Sequence, residues 1–280
     1  MGRTLVAVFA HPDDDAYGVA GTVALHAADP RFRFVLVLAT DGEGGDIREG
    51  FPATRETLGK VRRAEDEAAW RAVGRMPDRY EWLGYPDGGV SDVPFEGLVD
   101  RIAGILDEER PDVVVTFGPD GIFGHPDHVA IGAATDAAFL RLVSAVDDRA
   151  GNERGGDRPM GTRAGQGFQR LCHAAISESV FERWNEQRAA MNRVVFDPTQ
   201  MYQMRGVPDE RIGITVDTRS VADRVVAGLG EHRSQHHVFI DDPTDTERWK
   251  RIVSREWWVI AWPPPAAGAP MLTDVFDGLD

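Results

Sequence analysis

The sequence predicts an α/β protein built on a Rossmann-like, doubly wound and mainly parallel sheet. Strand-length apolar runs rich in valine and leucine, such as TLVAVF over 4–9, are typical of strands that are covered on both faces. Segments with helical periodicity separate these runs throughout the first 145 residues. Since strands that alternate with helices form parallel sheets with helices on both faces, this order predicts the fold class.

Strands and helices alternate regularly in the first half of the chain. The predicted strands cover 4–9, 34–39, 79–83 and 112–117, and the predicted helices cover 16–28, 54–73, 95–109 and 129–143. The helix over 54–73 has apolar residues at mixed three- and four-residue spacing, which indicates one buried stripe. A doubly wound sheet of these strands has the order 3-2-1-4, so the first and fourth strands are neighbours.

The second half of the chain begins with a segment that has few apolar side chains to pack in a hydrophobic core. Residues 147–167 are rich in glycine and charged side chains, and we expect a mobile surface loop there. Strands are then predicted over 171–176 and 211–216 and helices over 178–191 and 221–231, before an aromatic segment over 254–262. No repeat or linker divides the chain, so residues 1–280 are expected to form a single domain with C-terminal elaborations.

Composition narrows the classes of function. The chain carries 31 Lys and Arg against 46 Asp and Glu, a net charge of −15 that repels a polyanion, so no nucleic acid partner is expected. The apolar runs are shorter than the roughly 18 residues that span a bilayer, and the N-terminus lacks a signal-peptide pattern. We therefore expect a cytoplasmic protein without a membrane partner; a homo-oligomer is compatible with the sequence. The single cysteine, Cys172, leaves His, Asp and Glu as the ligands for any metal.

The first chemical motif, His11-Pro12-Asp13-Asp14-Asp15, comes between the first predicted strand and the first predicted helix. In an open parallel sheet, ligands bind beyond the carboxyl ends of the strands. A His and an Asp three residues apart on a proline turn can point at one cation, with the intervening Asp beside it. Capping of the helix N-terminus by Asp14 or Asp15 is the purely structural explanation.

The second motif, Gly124-His125-Pro126-Asp127-His128, follows the fourth predicted strand. Taken alone, it is explained equally well by a capping Asp with surface histidines. However, the first and fourth strands are neighbours at the switch point of the predicted sheet. The two His-Pro-Asp turns would therefore face each other across one crevice.

Together, these motifs resemble the deacetylases related to N-acetylglucosaminyl-phosphatidylinositol de-N-acetylase, often called the LmbE-like family. The resemblance extends from residue 4 to about residue 237, and the paired His-Pro-Asp turns are its specific part. Supporting segments are Thr40-Asp41-Gly42, Arg62 with Glu65, Gly84-Tyr85-Pro86-Asp87-Gly88 and His232-Arg233-Ser234-Gln235.

The resemblance implies a metal site made of His11, Asp14 and His128, with water in the remaining position. Three protein ligands and one open position are typical of catalytic zinc, and the same ligands also suit Fe²⁺ or another divalent transition metal. Asp13 would be the general base that deprotonates the attacking water. His125, oriented by Asp127, would as imidazolium stabilise the oxyanion or protonate the leaving amine.

The resemblance also implies that Arg62 and Asp87 hydrogen-bond the hydroxyls of a sugar. The expected function is a metal-dependent hydrolase that removes the N-acetyl group from an N-acetylglucosamine-type glycoside, a small-molecule amino-sugar substrate. One alternative is an amidase that cleaves a thiol-cofactor conjugate or an antibiotic amide. Another is a non-catalytic sugar- or nucleotide-binding module, although the first strand is not followed by the glycines that a dinucleotide needs.

Two positions depart from the family pattern. Asp15 stands where the family usually has Glu, and Phe123 stands where we expect a Tyr in the relatives that act in the mycothiol pathway. The hydroxyl of such a Tyr can polarise the scissile carbonyl. We therefore expect either the oxyanion contacts or the substrate to differ from those relatives.

Overall fold

The structure is a computed structural model that describes residues 2–153, 167–235 and 244–279. The strands are β1 (Arg3–Phe9), β2 (Phe32–Leu38), β3 (Arg79–Trp82), β4 (Val113–Phe117), β5 (Arg170–Ala175), β6 (Ile214–Asp217) and β7 (Arg255–Trp262). The helices are α1 (Asp14–Gly18), α2 (Ala20–His26), α3 (Arg55–Val73), α4 (Phe95–Glu109), α5 (Gly121–Gly124), α6 (Pro126–Glu153), α7 (Glu178–Ala190), α8 (Ala222–Leu229) and α9 (Thr246–Ile252).

The strands form one seven-stranded sheet in the order β3-β2-β1-β4-β5-β7-β6. Neighbouring strands from β3 to β5 are parallel, whereas β7 pairs antiparallel with both β5 and β6. The predicted order 3-2-1-4 and the mainly parallel α/β class are confirmed. The reversal of order between β1 and β4 places the switch point where the two His-Pro-Asp turns begin.

The central strands lie in the core because helices cover both faces of the sheet. The last five residues of β1 and all of β4 are buried, as their continuous apolar sequences predicted. Phe9 and Phe117, which end these strands, contact each other edge to face with ring centroids 5.0 Å apart. This packing fixes the spacing of the two turns that follow.

The first predicted helix is divided into α1 and α2 at Val19, which has a φ of −142° and breaks the helical backbone. Helix α1 begins at Asp14, earlier than predicted, because acidic residues are favoured in a first helical turn. A Cβ on Gly18 would lie 2.7 Å from the ring of Phe9, so glycine is required for α1 to lie this close to β1.

Helix α6 is longer than predicted. It begins at Pro126, since proline is suited to a first helical position, and it continues to Glu153. The surface loop predicted from residue 147 is therefore wrong for 147–153, where alanine and charged residues extend the helix in spite of one glycine. The rest of that loop, 154–166, lies outside the described residues.

Within the described ranges, the segment Pro126–Val146 is long and apolar enough to cross a membrane by length and composition alone. Its side chains at Ile131, Ala134, Ala138 and Phe139 are fully buried against the sheet and α4. It is therefore a core helix of this fold.

Candidate active site and metal centre

The two His-Pro-Asp turns meet at the carboxyl ends of β1 and β4. His11 lies two residues after the end of β1, and His128 lies in the first turn of α6. Nδ1 of His11 and Nε2 of His128 are 3.2 Å apart, and both rings are buried. The strand order thus brings together residues that are far apart in the sequence.

Asp14 completes a group of three donors. Its carboxylate oxygens lie 3.2 Å from Nδ1 of His11 and 3.2 Å from Nε2 of His128. Donors held about 2.0–2.2 Å from a tetrahedral zinc ion lie roughly 3.3 Å apart, so these separations suit one such ion. The three predicted ligands are therefore placed at one point.

Hydrogen bonds behind the two histidines fix which ring nitrogen is free. Nδ1 of His128 lies 3.1 Å from the carbonyl oxygen of Gly121, to which it can only donate a proton. Nε2 of His11 faces carboxylate oxygens of Asp87 and Asp127 at 3.0 and 3.3 Å, so it carries the proton of the neutral ring. The remaining nitrogens then point lone pairs at each other beside a carboxylate, an arrangement that requires a cation between them. This donor set fits a divalent metal.

The electrostatics of these residues agree with a cation site. Burial lowers the pKa of His11, but hydrogen bonds to Asp127, Asp14 and Asp87 outweigh burial and raise it well above the ordinary value. Burial raises the pKa of Asp14, yet the neighbouring His128 and His11 hold it far below its usual range. The site therefore favours a positive charge at the point where the donors meet.

Asp13, the predicted general base, lies beside this group on a strained backbone with a φ of 93°. Its backbone N–H donates to Oδ1 of Asp15, and its carboxylate lies 3.3 Å from Nη2 of Arg62. Burial raises the pKa of Asp13 to about 7, and the charge of Arg62 limits that rise. A carboxyl group with a pKa near neutrality suits a general base.

Arg62 is held inside the protein next to Asp13. Its guanidinium is buried and donates to the carbonyl oxygens of Gly42 and Pro12, in addition to its contact with Asp13. It therefore holds the Pro12–Asp13 turn in place from within, and the contact with sugar hydroxyls stays a prediction.

Asp87 and Asp127 both support His11. Oδ2 of Asp87 accepts the backbone N–H of Gly44 at 2.9 Å, while the carboxylate of Asp127 accepts the N–H groups of Gly88 and Val90 at 2.7 and 3.0 Å. The side chain of Asp127 contacts His11, whereas its backbone N–H donates to Nδ1 of His125, the histidine that we expected Asp127 to orient. Carboxylates in this position orient a metal-binding imidazole and raise its basicity.

His125 lies at the mouth of the site, edge-on to His11 with ring centroids 4.7 Å apart. Its Nδ1 accepts the backbone N–H of Asp127 at 3.1 Å, so the proton of the neutral ring is on Nε2. Burial, followed by the charges of His11 and His128, lowers the pKa of His125 to about 4. The lowered pKa favours the neutral ring, whereas we expected an imidazolium.

Tyr202 is a residue at this site that the sequence did not indicate. It lies between α7 and β6 and contacts His125 edge-on, with ring centroids 5.4 Å apart. It is 56% exposed and has a φ of 61°, which bulky residues rarely adopt. Phe123, where we expected a tyrosine in some relatives, instead packs its ring edge-on against His128 at 4.7 Å.

A buried polar cluster supports the turn that carries Asp13. Asp15, which stands where the family usually has Glu, is buried, and its Oδ2 accepts the indole N–H of Trp70 at 2.6 Å. Asp66 lies next to it, and burial, followed by the charge of Asp15, raises the pKa of Asp66 well above its ordinary value. Nε2 of His232 is 3.8 Å from Oδ1 of Asp66, and both side chains are buried.

An apolar cavity of about 250 Å³ opens beside Asp13, Asp14 and His128. Its walls are mostly apolar and aromatic and come from the ends of β4, β5 and β7 and from α7. Phe123 and Trp257 are among the lining residues. A substrate at the metal site would therefore meet an apolar surface on this side.

Comparison with known proteins agrees with these observations. The family described as GlcNAc-PI de-N-acetylase matches residues 6–139. A 1D-myo-inositol 2-acetamido-2-deoxy-alpha-D-glucopyranoside deacetylase of Acidothermus cellulolyticus is 30% identical over 100% of this chain and 96% of its own length. The deacetylase of the same description from Mycobacterium sp. is 32% identical over 82% of this chain and 73% of its own length.

Solved structures share the fold at low sequence identity. The N,N'-diacetylchitobiose deacetylase of Pyrococcus horikoshii has a TM-score of 0.58 and 20% identity, over 92% of this chain and 83% of that one. The 4-carboxy-2-hydroxymuconate hydratase of Pseudomonas putida has a TM-score of 0.59 and 16% identity, over 96% and 100%. Because a deacetylase and a hydratase share this architecture, the fold alone does not decide the reaction.

Proposed function

The chain belongs to the GlcNAc-PI de-N-acetylase family, and on that premise we propose that it is a metal-dependent hydrolase that removes the N-acetyl group from an N-acetylglucosamine-type glycoside. The observation that carries this proposal is the convergence of His11, Asp14 and His128 on one point, with Asp13 beside them. The substrate is a small amino-sugar molecule, as in the names of the relatives. We place the reaction in the cytoplasm.

We propose Zn²⁺ as the metal, held by His11, Asp14 and His128, with Fe²⁺ as an alternative on the same ligands. When bound, such an ion polarises the amide carbonyl and acidifies water. Asp87 and Asp127 keep His11 in the tautomer that presents Nδ1 to the metal. His128 is held in the matching tautomer by Gly121.

Asp13 accepts a proton from the attacking water at its carboxylate. Arg62 orients that carboxylate because it holds the Pro12–Asp13 turn, and its positive charge limits the rise in the pKa of Asp13. His125 presents Nε2–H to the reacting group, where it donates a hydrogen bond to the developing oxyanion. The proton that Asp13 takes from the water then passes to the leaving amine. In this scheme Arg62, Asp87 and Asp127 are positioning residues, and Asp13 and His125 touch the substrate.

The proposal is tested by incubating the metal-loaded protein with a panel of N-acetylglucosaminides and measuring primary amine and acetate together. We expect equal amounts of the two products, and loss of both when the metal is chelated. A matched control is Asp107→Asn on the surface of α4, where the side chain is 60% exposed. Metal-replete protein that releases neither product from any member of the panel would overturn the proposal.

A further inference from the structure

A groove of about 960 Å³ lies next to the apolar cavity, between α7, α9 and the first residues of β7. Its described lining includes seven arginines, of which Arg183, Arg251 and Arg255 matter most below, and a single carboxylate residue, Asp245. This composition is unexpected in a chain with a net charge of −15. A concave surface of one sign concentrates ions of the opposite sign.

Some of these arginines are engaged within the protein, but others are available. Arg188 donates to the carbonyl oxygen of Val194, and Arg219 pairs with Asp217. Asp245 accepts the backbone N–H of Arg248 as a helix cap. In the part of the chain that the structure describes, Arg183, Arg251 and Arg255 form no ion pair with a carboxylate. All three side chains are exposed, so they can meet an anion from solution, although Asp209 and Asp217 also attract Arg183 and Arg255 electrostatically.

The groove adjoins the cavity that opens at the metal site. Trp184, Ile252, Arg255 and Trp257 line both the groove and the apolar cavity. The cavity is also lined by Asp13, Asp14 and His128. A molecule that extends from the metal site through the cavity would therefore come next to the arginines of the groove.

The size and polarity of the cavity exclude some occupants. Its 250 Å³ holds roughly eight groups of the size of water, at about 30 Å³ each, whereas the methyl group of an acetamide fills one such space. A sugar ring is disfavoured there because most of the lining is apolar, so few of its hydroxyls would find partners to replace their hydrogen bonds to water. An apolar chain fits both the volume and the lining.

We propose that the substrate carries an apolar segment next to its scissile amide and an anionic group, phosphate or carboxylate, beyond that segment. The apolar segment fills the cavity and the anion binds the arginine groove, where guanidinium groups pair with such anions in a bidentate manner. This proposal rests on the proposed function for the position of the amide. The anion belongs either to the aglycone of an N-acetylated sugar or to an acyl group longer than acetyl, and the chemistry of recognition is the same in both. The second case keeps the amide hydrolysis of the proposed function but replaces acetyl by the longer acyl group.

Two pairs of substrates distinguish these sources. The first pair is glucosamine acylated with a heptanoyl chain that ends in a carboxylate, and plain N-heptanoyl glucosamine. The second pair is the hexyl glycoside of N-acetylglucosamine with a terminal phosphate, and the plain hexyl glycoside. In one pair, we expect kcat/KM to be at least about tenfold higher for the anionic member. Equal values within both pairs would overturn the proposal.

The double variant Arg251→Gln/Arg255→Gln tests the groove itself. We expect it to reduce the anionic-to-neutral ratio of kcat/KM by about tenfold, and added salt to reduce the ratio of the wild type. The control, Arg71→Gln/Arg141→Gln, removes the same charge from surface ion pairs outside the groove and keeps the ratio. A ratio that stays unchanged in the groove variant would contradict the assignment.

A binding measurement separates failure of the groove from failure of the proposed function. Calorimetry with hexyl phosphate and with hexanol, on the metal-loaded protein, needs no turnover. We expect tighter binding of hexyl phosphate, and loss of this preference in the groove variant. If hexyl phosphate binds more tightly but no substrate is hydrolysed, the anion-binding role of the groove is supported and the proposed deacetylase function is overturned. Preference that survives in the groove variant would place the phosphate elsewhere and overturn the inference.

Discussion

Nδ1 of His11 and Nε2 of His128 lie 3.2 Å apart, and neither nitrogen carries a proton when both rings are neutral. The lone pairs of two imidazoles at this separation repel each other unless a proton or a metal ion lies between them. The fold tolerates this pair because Gly121, Asp87 and Asp127 hold the opposite sides of the two rings. The site is thus built for a cation before any ligand arrives.

Mutation of the two adjacent aspartates, Asp13 and Asp14, should have different effects on metal content and on turnover. Asp14→Asn should lower metal content, since it removes the carboxylate that faces both histidines. Asp13→Asn should keep about one metal per chain and reduce amine release by about 10²-fold or more, because the base is lost. Elemental analysis and kinetics on both proteins decide this, and a metal-poor Asp13→Asn protein would reverse the assignment.

Asp127 should act through His11. Asp127→Asn removes the charge beside Nε2 of His11 and keeps one oxygen, which can accept the N–H of Gly88 or of Val90 but not both. We expect metal affinity to fall by about 10- to 100-fold, with activity restored at saturating metal. Competition with a chelator gives the affinity. If affinity is unchanged while kcat falls, Asp127 acts instead on His125, as the sequence suggested.

Tyr202 should contribute a hydroxyl that Phe123 lacks. Because the ring of Tyr202 contacts His125, we expect Tyr202→Phe to reduce kcat by about tenfold or more with little change in KM. This split indicates a contact that strengthens as charge develops on the carbonyl oxygen. A change confined to KM would mean that Tyr202 binds the ground state only.

The C-terminal segment should contribute stability that depends on pH. Oδ2 of Asp274 lies 2.7 Å from Nε2 of His26 in α2. Burial raises the pKa of Asp274, but the bond to His26 and the N–H of Phe276 outweigh burial and hold it below the ordinary value. Since the folded-state pKa is the lower one, the stabilisation is present above the unfolded-state value of about 3.9 and is lost as pH falls through the folded-state value.

Asp274→Asn measures this contribution. We expect the free energy of unfolding to fall by about 1 kcal/mol at pH 7, and the difference from the wild type to disappear in acid. Urea unfolding over a pH series gives both values. A difference that is the same at every pH would mean that the charge of Asp274 contributes nothing and that only its shape matters.

The sequence predicted the meeting of His11 with His128 because that meeting depends on strand order alone. Each histidine follows a buried strand, and the doubly wound order makes those strands neighbours. By contrast, the partner of Asp127 depends on the backbone of one turn, where the side chain reaches past the nearby His125 to His11. Hydrophobic periodicity carries no information about that direction.

Other features also lay beyond sequence reasoning. Tyr202 comes to His125 through a long irregular segment, which has no period to follow. The pKa of His125 is lowered by burial and by neighbouring charges, both of which arise only in the folded chain. Arg62 had the residue type of a sugar contact, and only the folded chain shows that its Nη1 and Nη2 donate to Gly42 and Pro12, while Nε has no hydrogen-bond partner among the described residues.

The backbone of Asp13 limits how this site can change over evolutionary time. Its φ of 93° is a conformation that glycine, asparagine and aspartate accept more readily than other residues. Single-base changes convert an aspartate codon to asparagine or glycine, and both replacements remove the carboxylate. Substitutions of Asp13 that keep this backbone conformation therefore give proteins that still have the metal ligands but have lost the general base. Relatives that have lost catalysis while keeping the fold should carry one of these two residues at this position.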